Sequence, residues 1–179
     1  MRFRRTGGRE VWKGRVVEVR EDRFVYDDGE EVTREIVSHP GAVAVVAHDG
    51  EQLYLVAHAR EAVDEAELLE LPAGKLDDES ETPLETAQRE LAEEIGKGAR
   101  NWEHLTTCYS SPGFTDEAIH VYLATDLYDA DTERDASERI EVRTVALSDL
   151  DATIRDCHDA KTLIGLLWLR AMREDPPLR

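Results

Sequence analysis

The hydrophobic pattern is clearest in the middle of the chain. Ala42 to Ala47 is an apolar run without alternation, as a strand covered on both faces would read. Asp49-Gly50 turns it into a second strand, Gln52 to Ala57. After a polar segment, Leu68 to Leu71 predicts a short strand that delivers Pro72-Ala73-Gly74. The period then changes. At ~100° per residue, Leu84, Ala87, Leu91 and Ile95 fall on one helical stripe. Thr82 stands as N-cap, Pro83 suits the first helical position, and Glu85 completes a capping box. Gly96 offers a left-handed stop. Further strands are expected near Trp102 to Tyr109, Ala118 to Thr125 and Ile140 to Leu147. Ser148 and Asp149 can cap a short helix, and a final helix from about Asp159 to Arg173 places Leu163, Leu166 and Leu167 on one side. This order of elements predicts an α/β fold, a mixed sheet covered by helices.

Ahead of that domain, Val11 to Arg20 is rich in valine and reads as a strand. Arg23 to Tyr26 and Glu31 to Val37 are joined through Asp28-Gly29, a hairpin signal. His39-Pro40-Gly41 breaks the chain. The expected division is therefore a small antiparallel β lobe over residues 1–38 and a main domain over 39–179. Three strands make a poor independent core, so the lobe needs the main domain or a second copy of the chain. Arg2, Arg4, Arg5 and Arg9 precede Glu10 and are read as a frayed terminus rather than a transit peptide.

A formal net charge of −18 over 179 residues argues against a nucleic-acid or anionic-membrane surface. No apolar run approaches the ~20 residues of a membrane span, and no signal-peptide pattern is present. Only Cys108 and Cys157 occur, too few for a disulfide framework, so a reducing cytoplasm is expected. The six histidines do not cluster, and none is assigned a role.

Charge along the predicted helix carries more information. Glu90 and Glu94 lie one turn apart on the flank of the apolar stripe, and Glu93 faces further out. Such a pair costs a helix roughly 0.2–0.5 kcal/mol unless it is neutralised. Arg89 is spaced to offset Glu85 and Glu93, while inside the predicted helix no Lys or Arg sits one turn from Glu90 or Glu94. Carboxylate oxygens are hard ligands, so a divalent cation such as Mg²⁺ or Mn²⁺ is the natural source of the missing charge.

These residues resemble the Nudix box, G-x5-E-x7-R-E-U-x-E-E-x-G-U, with U a bulky aliphatic. The chain supplies Gly74, Glu81, Arg89-Glu90-Leu91, Glu93-Glu94 and Gly96, with seven residues between Glu81 and Arg89. It departs twice: six residues separate Gly74 from Glu81, and Lys97 replaces the closing hydrophobic. Both changes leave the register of the acids intact. HPGAVAVVA, SSPGFTDE and the closing DAKTLIGLL are similar to the ADP-ribose pyrophosphatase branch, which carries a proline sixteen residues beyond the last box glycine. Pro112 stands sixteen beyond Gly96.

The resemblance implies a Nudix-type α/β/α sandwich and divalent-metal-dependent hydrolysis of ADP-ribose to AMP and ribose 5-phosphate. It implies metal ligands at Glu90, Glu94 and the Ala73 carbonyl, with Glu93 as a further or water-bridged partner and Arg89 orienting the acids. Glu81 holds a box position and leaves a structural role open, bracing the loop against the helix. Arg60, at a strand end, and Arg34, in the lobe, are candidates for the substrate's phosphates; Gly74 and Pro112 complete the substrate set. Trp12, Phe24 and Tyr26 suit either adenine stacking or lobe packing. An acid facing the box helix across the substrate is expected in the loop Asp129 to Glu138, with Glu138 first and Glu133 and Asp135 in reserve. Similar enzymes are dimers that exchange the lobe, so a homodimer is expected. The alternatives are another nucleoside diphosphate sugar, GDP-mannose or ADP-glucose, or a regulator that binds ADP-ribose without cleaving it.

Overall fold

The computed structural model describes residues 1–131 and 140–174. Its contacts divide the chain into two compact units, Met1–Gly41 with Tyr109–Ala118, and Ala42–Cys108 with Ile119–Arg179.

The first unit is an antiparallel sheet of three strands, β1 (Phe3–Lys13), β2 (Glu18–Tyr26) and β3 (Glu31–Ser38). The hairpin at Asp28-Gly29 forms as expected, with Gly29 at φ 88° and its N–H donating to the Tyr26 carbonyl at 3.0 Å. The stretch Val11 to Arg20 is not one strand. It bends where the Gly14 N–H donates to the Val17 carbonyl at 2.9 Å. The arginine-rich start is also no frayed end. Opposite charges across the ladder hold it: Arg5 bonds Asp22 at 2.6 Å, Arg9 pairs with Glu21, and the Phe3 ring meets Phe24 and Tyr26 edge-on. The 109–118 segment docks on β3, where the Val37 N–H donates to the Phe114 carbonyl at 2.8 Å. Asp116 fixes it there by accepting from the Ser38 hydroxyl and the His39 N–H.

The second unit is a mixed sheet between helices, the Nudix-type α/β/α sandwich. Among the described residues its sheet has seven strands. β4 (Ala42–His48) lies at the centre, parallel to β9 (Ala118–Asp129) and antiparallel to β5 (Gln52–Arg60). β10 (Ile140–Ala146) flanks β5, and β8 (Lys97–Tyr109) flanks β9. The unbroken apolar run of β4 is explained by its two covered faces. Val43, Val45 and Ala47 pack with Ala87, Leu91 and Ile95 of α1 (Pro83–Ile95). Ala44 and Val46 join Leu150 of α2 (Leu150–Asp156) and Leu166 and Leu169 of α3 (Ala160–Glu174) in the opposite layer. The α3 face differs from expectation: Thr162, Gly165, Leu166 and Leu169 are buried and Leu167 is exposed. Gly165 sets this rotation, since a Cβ there would stand 2.6 Å from Leu71 Cδ1 and 2.8 Å from Val46 Cγ2. Among the described residues, no helix is long and apolar enough to cross a membrane.

The sheet has one irregularity, and it places backbone beside the acids of α1. β4 and β5 pair only at Ala47↔Tyr54 and His48↔Leu53, then part. The gap is filled by β6 (Glu65–Glu70) on β5 and β7 (Ala73–Lys75) on β4, with the Pro72 carbonyl accepting from the Val45 N–H at 2.8 Å. Leu91, fully buried under β4, is the main apolar anchor of α1 on this sheet. Leu91→Ala is expected to destabilise the chain by about 2–5 kcal/mol, measured by urea unfolding against wild type.

Candidate active site

Helix α1 begins as its sequence dictates. The Thr82 side chain accepts from the Glu85 N–H, and the Thr82 N–H donates to Glu85 Oε2 at 2.7 Å, closing the capping box before Pro83. Gly96 ends the helix at φ 69°. Between these ends, the acids of the second half face the inserted segment Pro72-Ala73-Gly74. The Glu94 carboxylate, only 6 % exposed, accepts from the Ala73 N–H at 2.9 Å. Glu90 lies so close over residue 74 that an added Cβ would stand 2.0 Å from its Oε1. Glycine at 74 is therefore a matter of space, and Ala73, Gly74, Glu90 and Glu94 come together at one place.

Arg89 binds the neighbouring acids to each other. Its Nε donates to Glu81, and its Nη1 donates to Glu90 at 2.9 Å and to Glu93 at 2.8 Å. Two expectations from helical spacing are corrected by these bonds. Glu85 is engaged in the cap rather than with Arg89, and Glu90, expected to need outside charge, is met by the adjacent arginine. Burial pulls the Arg89 guanidinium down, but the hydrogen bond it donates to Glu81 and the charges of Glu90 and Glu93 outweigh it and hold Arg89 well above its ordinary range. Glu81 also accepts from the Thr86 hydroxyl at 3.0 Å, which ties the loop to the first turn of α1.

Among the described residues, no three or more His, Cys, Asp or Glu side chains stand ready as a metal cluster. The donor chemistry fits a hard divalent cation nonetheless, because the groups gathered at Ala73-Gly74 are carboxylates and backbone. The space over Gly74, which a Cβ would fill, is held by a carboxylate.

Arg60, at the end of β5, forks onto Glu70 at the end of β6, with Nε to Oε1 at 2.6 Å and Nη2 to Oε2 at 2.7 Å. Lys161 from α3 meets the same carboxylate. Glu70 is 1 % exposed, and the hydrophobic pattern alone does not single it out. A signal was there: an acid inside Leu68-Leu69-Glu70-Leu71 must either face solvent or bury its charge against a partner. Burial would push the Glu70 carboxyl up, yet the bonds and charges of Arg60 and Lys161 prevail and hold it below the usual carboxylate range.

In the first unit, Arg34 and Pro112 share an open cleft of about 310 Å³ with Phe3, Phe24, Tyr26 and Phe114. Trp12 does not line it. Glu138, Glu133 and Asp135 lie outside the described residues.

A NUDIX domain model matches residues 37–164. The chain is 38% identical over 166 residues to an ADP-ribose pyrophosphatase of Bacillus subtilis (strain 168), covering 90% of this chain and 89% of that protein. It is 35% identical over 165 residues to a methanol dehydrogenase activator of Bacillus methanolicus, again over 90% and 89%. A solved structure described as an ADP compounds hydrolase superposes with a TM-score of 0.84 at 20% identity, over 99% of this chain and 98% of that one.

The Glu70 environment has a consequence for stability against pH. A carboxyl depressed in the folded state contributes stability above its unfolded pKa, and that stability is lost as pH falls through the folded value. The melting temperature of the wild type should therefore fall on acidification below the ordinary carboxylate range. Glu70→Gln should melt lower at neutral pH but lose less on acidification, as calorimetric scans across pH would record.

Proposed function

Because this chain belongs to the NUDIX family, whose members hydrolyse pyrophosphate bonds in nucleotides and nucleotide sugars, we propose that it splits ADP-ribose into AMP and ribose 5-phosphate. The observation that carries the reading is the convergence of Glu90 and Glu94 on Ala73-Gly74. The ADP-ribose pyrophosphatase relative, matched over nine-tenths of both chains, supports the substrate. So does the cleft beside Pro112, whose aromatic walls suit a planar base and whose Arg34 suits an anion.

Family membership implies dependence on a divalent cation. In this reading it is Mg²⁺, with Mn²⁺ a substitute, held by Glu90, Glu93, Glu94 and the Ala73 carbonyl. When bound, the cation screens the pyrophosphate and acidifies a water. The chain's own residues do the rest. Glu94 keeps the Ala73 backbone in register through its N–H. Arg89 holds Glu90 and Glu93 at a shared guanidinium, so their carboxylates are oriented before any ligand arrives. Arg60 and Arg34 attract the phosphates, and Gly74 keeps backbone and acid in close approach. Glu138 takes the proton of the attacking water, with Glu133 and Asp135 as the alternatives.

A panel of ADP-ribose, ADP-glucose and GDP-mannose with Mg²⁺, read by product identification, tests the substrate. Preference for either of the latter two would overturn it. Glu90→Gln, Glu94→Gln and Glu138→Gln should each lower kcat by at least ~100-fold. For the first two, the rise in melting temperature on adding Mg²⁺ without substrate should also shrink. Full activity in both box variants would sink the metal assignment.

We further propose a homodimer assembled through the N-terminal lobe, residues 1–38. Phe3, Val11, Trp12 and Val16 are large apolar side chains left exposed on the first unit, and a second copy of the lobe would cover them. Light scattering should give twice the chain mass, and deletion of residues 1–38 should abolish both assembly and affinity for ADP-ribose. An active monomer would count decisively against it.

A further inference from the structure

The segment Asp159-Ala160-Lys161-Thr162 opens α3, far in sequence from the acids of α1, and the proposed reaction makes no use of it. Its side chains nonetheless reach Glu70 and Leu71, just ahead of Pro72-Ala73-Gly74. The Thr162 hydroxyl accepts from the Leu71 N–H at 2.8 Å and donates to Asp159 Oδ2 at 2.6 Å. The same Asp159 oxygen accepts from the Thr162 N–H and from Lys161 Nζ, both at 3.0 Å. Lys161 goes on to Glu70, which holds Arg60 by two bonds. Thr162 and Glu70 are each 1 % exposed. Gly165, one turn on, lets α3 press on the Leu71 side chain. Leu71 is thus gripped at its N–H and at its side chain by one helix.

We propose that Asp159, Lys161 and Thr162 form a positioning clamp that sets both the Ala73-Gly74 backbone and the Arg60 guanidinium for the reaction. The inference rests on the hydrolase reading and adds residues to it. Two physical links carry it. Only Pro72 separates Leu71 from Ala73, and its ring fixes φ, so a displacement at Leu71 passes to the Ala73 N–H that Glu94 holds. The second link is charge. Arg60 and Lys161 together balance the carboxylates of Glu70 and Asp159. Remove Lys161, and both carboxylates are left to Arg60 alone, which weakens its attraction for an anion.

The two arms of the clamp make separable predictions for the full-length chain, measured well below the melting temperature of every variant. Thr162→Val, close to isosteric, leaves the Leu71 N–H without its acceptor. It should lower kcat ~10-fold with KM within ~2-fold, and weaken Mg²⁺ binding in substrate-free calorimetry by a similar factor. Thr162→Ser should restore both. Lys161→Met should raise KM ~10-fold with kcat within ~2-fold, and Lys161→Arg should recover most of the loss. Asp159→Asn and Lys161→Gln, which roughly keep side-chain size, give the same two readouts if the first pair does not fold. Variants that melt lower but keep wild-type kcat, KM and Mg²⁺ affinity would overturn the clamp and leave a structural tie. The assay uses whichever panel compound the wild type cleaves fastest, so failure of ADP-ribose as substrate shows in the wild type and failure of the clamp only in the variants.

Discussion

Carboxylates brought within one helical turn repel each other, and the arrangement around α1 is a response to that constraint. Glu81, Glu90 and Glu93 converge on the single guanidinium of Arg89, and Glu94 turns inward to a backbone N–H. Each contact also fixes geometry. The arginine's planar fork sets the direction of three acids at once, and the Glu94 bond ties the helix to the strand segment opposite. The apolar stripe of α1, anchored by Ala87 and Leu91 on β4, holds this polar edge in place. Without the buried face, the helix would have little reason to keep its acids at Gly74.

The parting of β4 from β5 is the complementary device. A regular hairpin would have closed the sheet and left no place for Pro72-Ala73-Gly74. Because the two strands separate after two residue pairs, the inserted segment is bonded on both sides, Val56↔Glu70 on β5 and Val43↔Gly74 on β4. The backbone facing the acids is thus part of the sheet rather than a loop, and it inherits the rigidity of the core beneath it. Backbone groups held in this way need little reorganisation when charge develops near them.

Much of this was legible from residues alone, for identifiable reasons. The bounds of α1 follow from local chemistry, a threonine cap, a proline and a terminal glycine, and the structure reproduces all three. The central strand was legible because burial on both faces leaves no polar position in Val43-Ala44-Val45-Val46. What escaped was non-local. Arg2 to Arg9 read as a frayed terminus until β2 supplies Glu21 and Asp22 across the ladder. The inward face of α3 depends on a glycine meeting Leu71 and Val46, which no helical period reveals. Arg60 was visible as a cation at a strand end, but its buried partner Glu70 and the lysine from α3 are joined to it only by the fold.

The docking of residues 109–118 on β3 bears on the order in which the chain acquires structure. The bond between Ser38 and Asp116 spans 78 residues, and the whole of β4 through β8 is synthesised between them. The three-stranded sheet is synthesised before the second unit, yet one wall of its cleft arrives only after about half of that unit has been made. Domains that fold as contiguous blocks finish one before the next begins. Here the first unit to appear is completed late, by a closure whose loop entropy must be met before its contacts form. Its exposed aromatic face has to persist through that interval, which makes the early chain the stage most open to unwanted association.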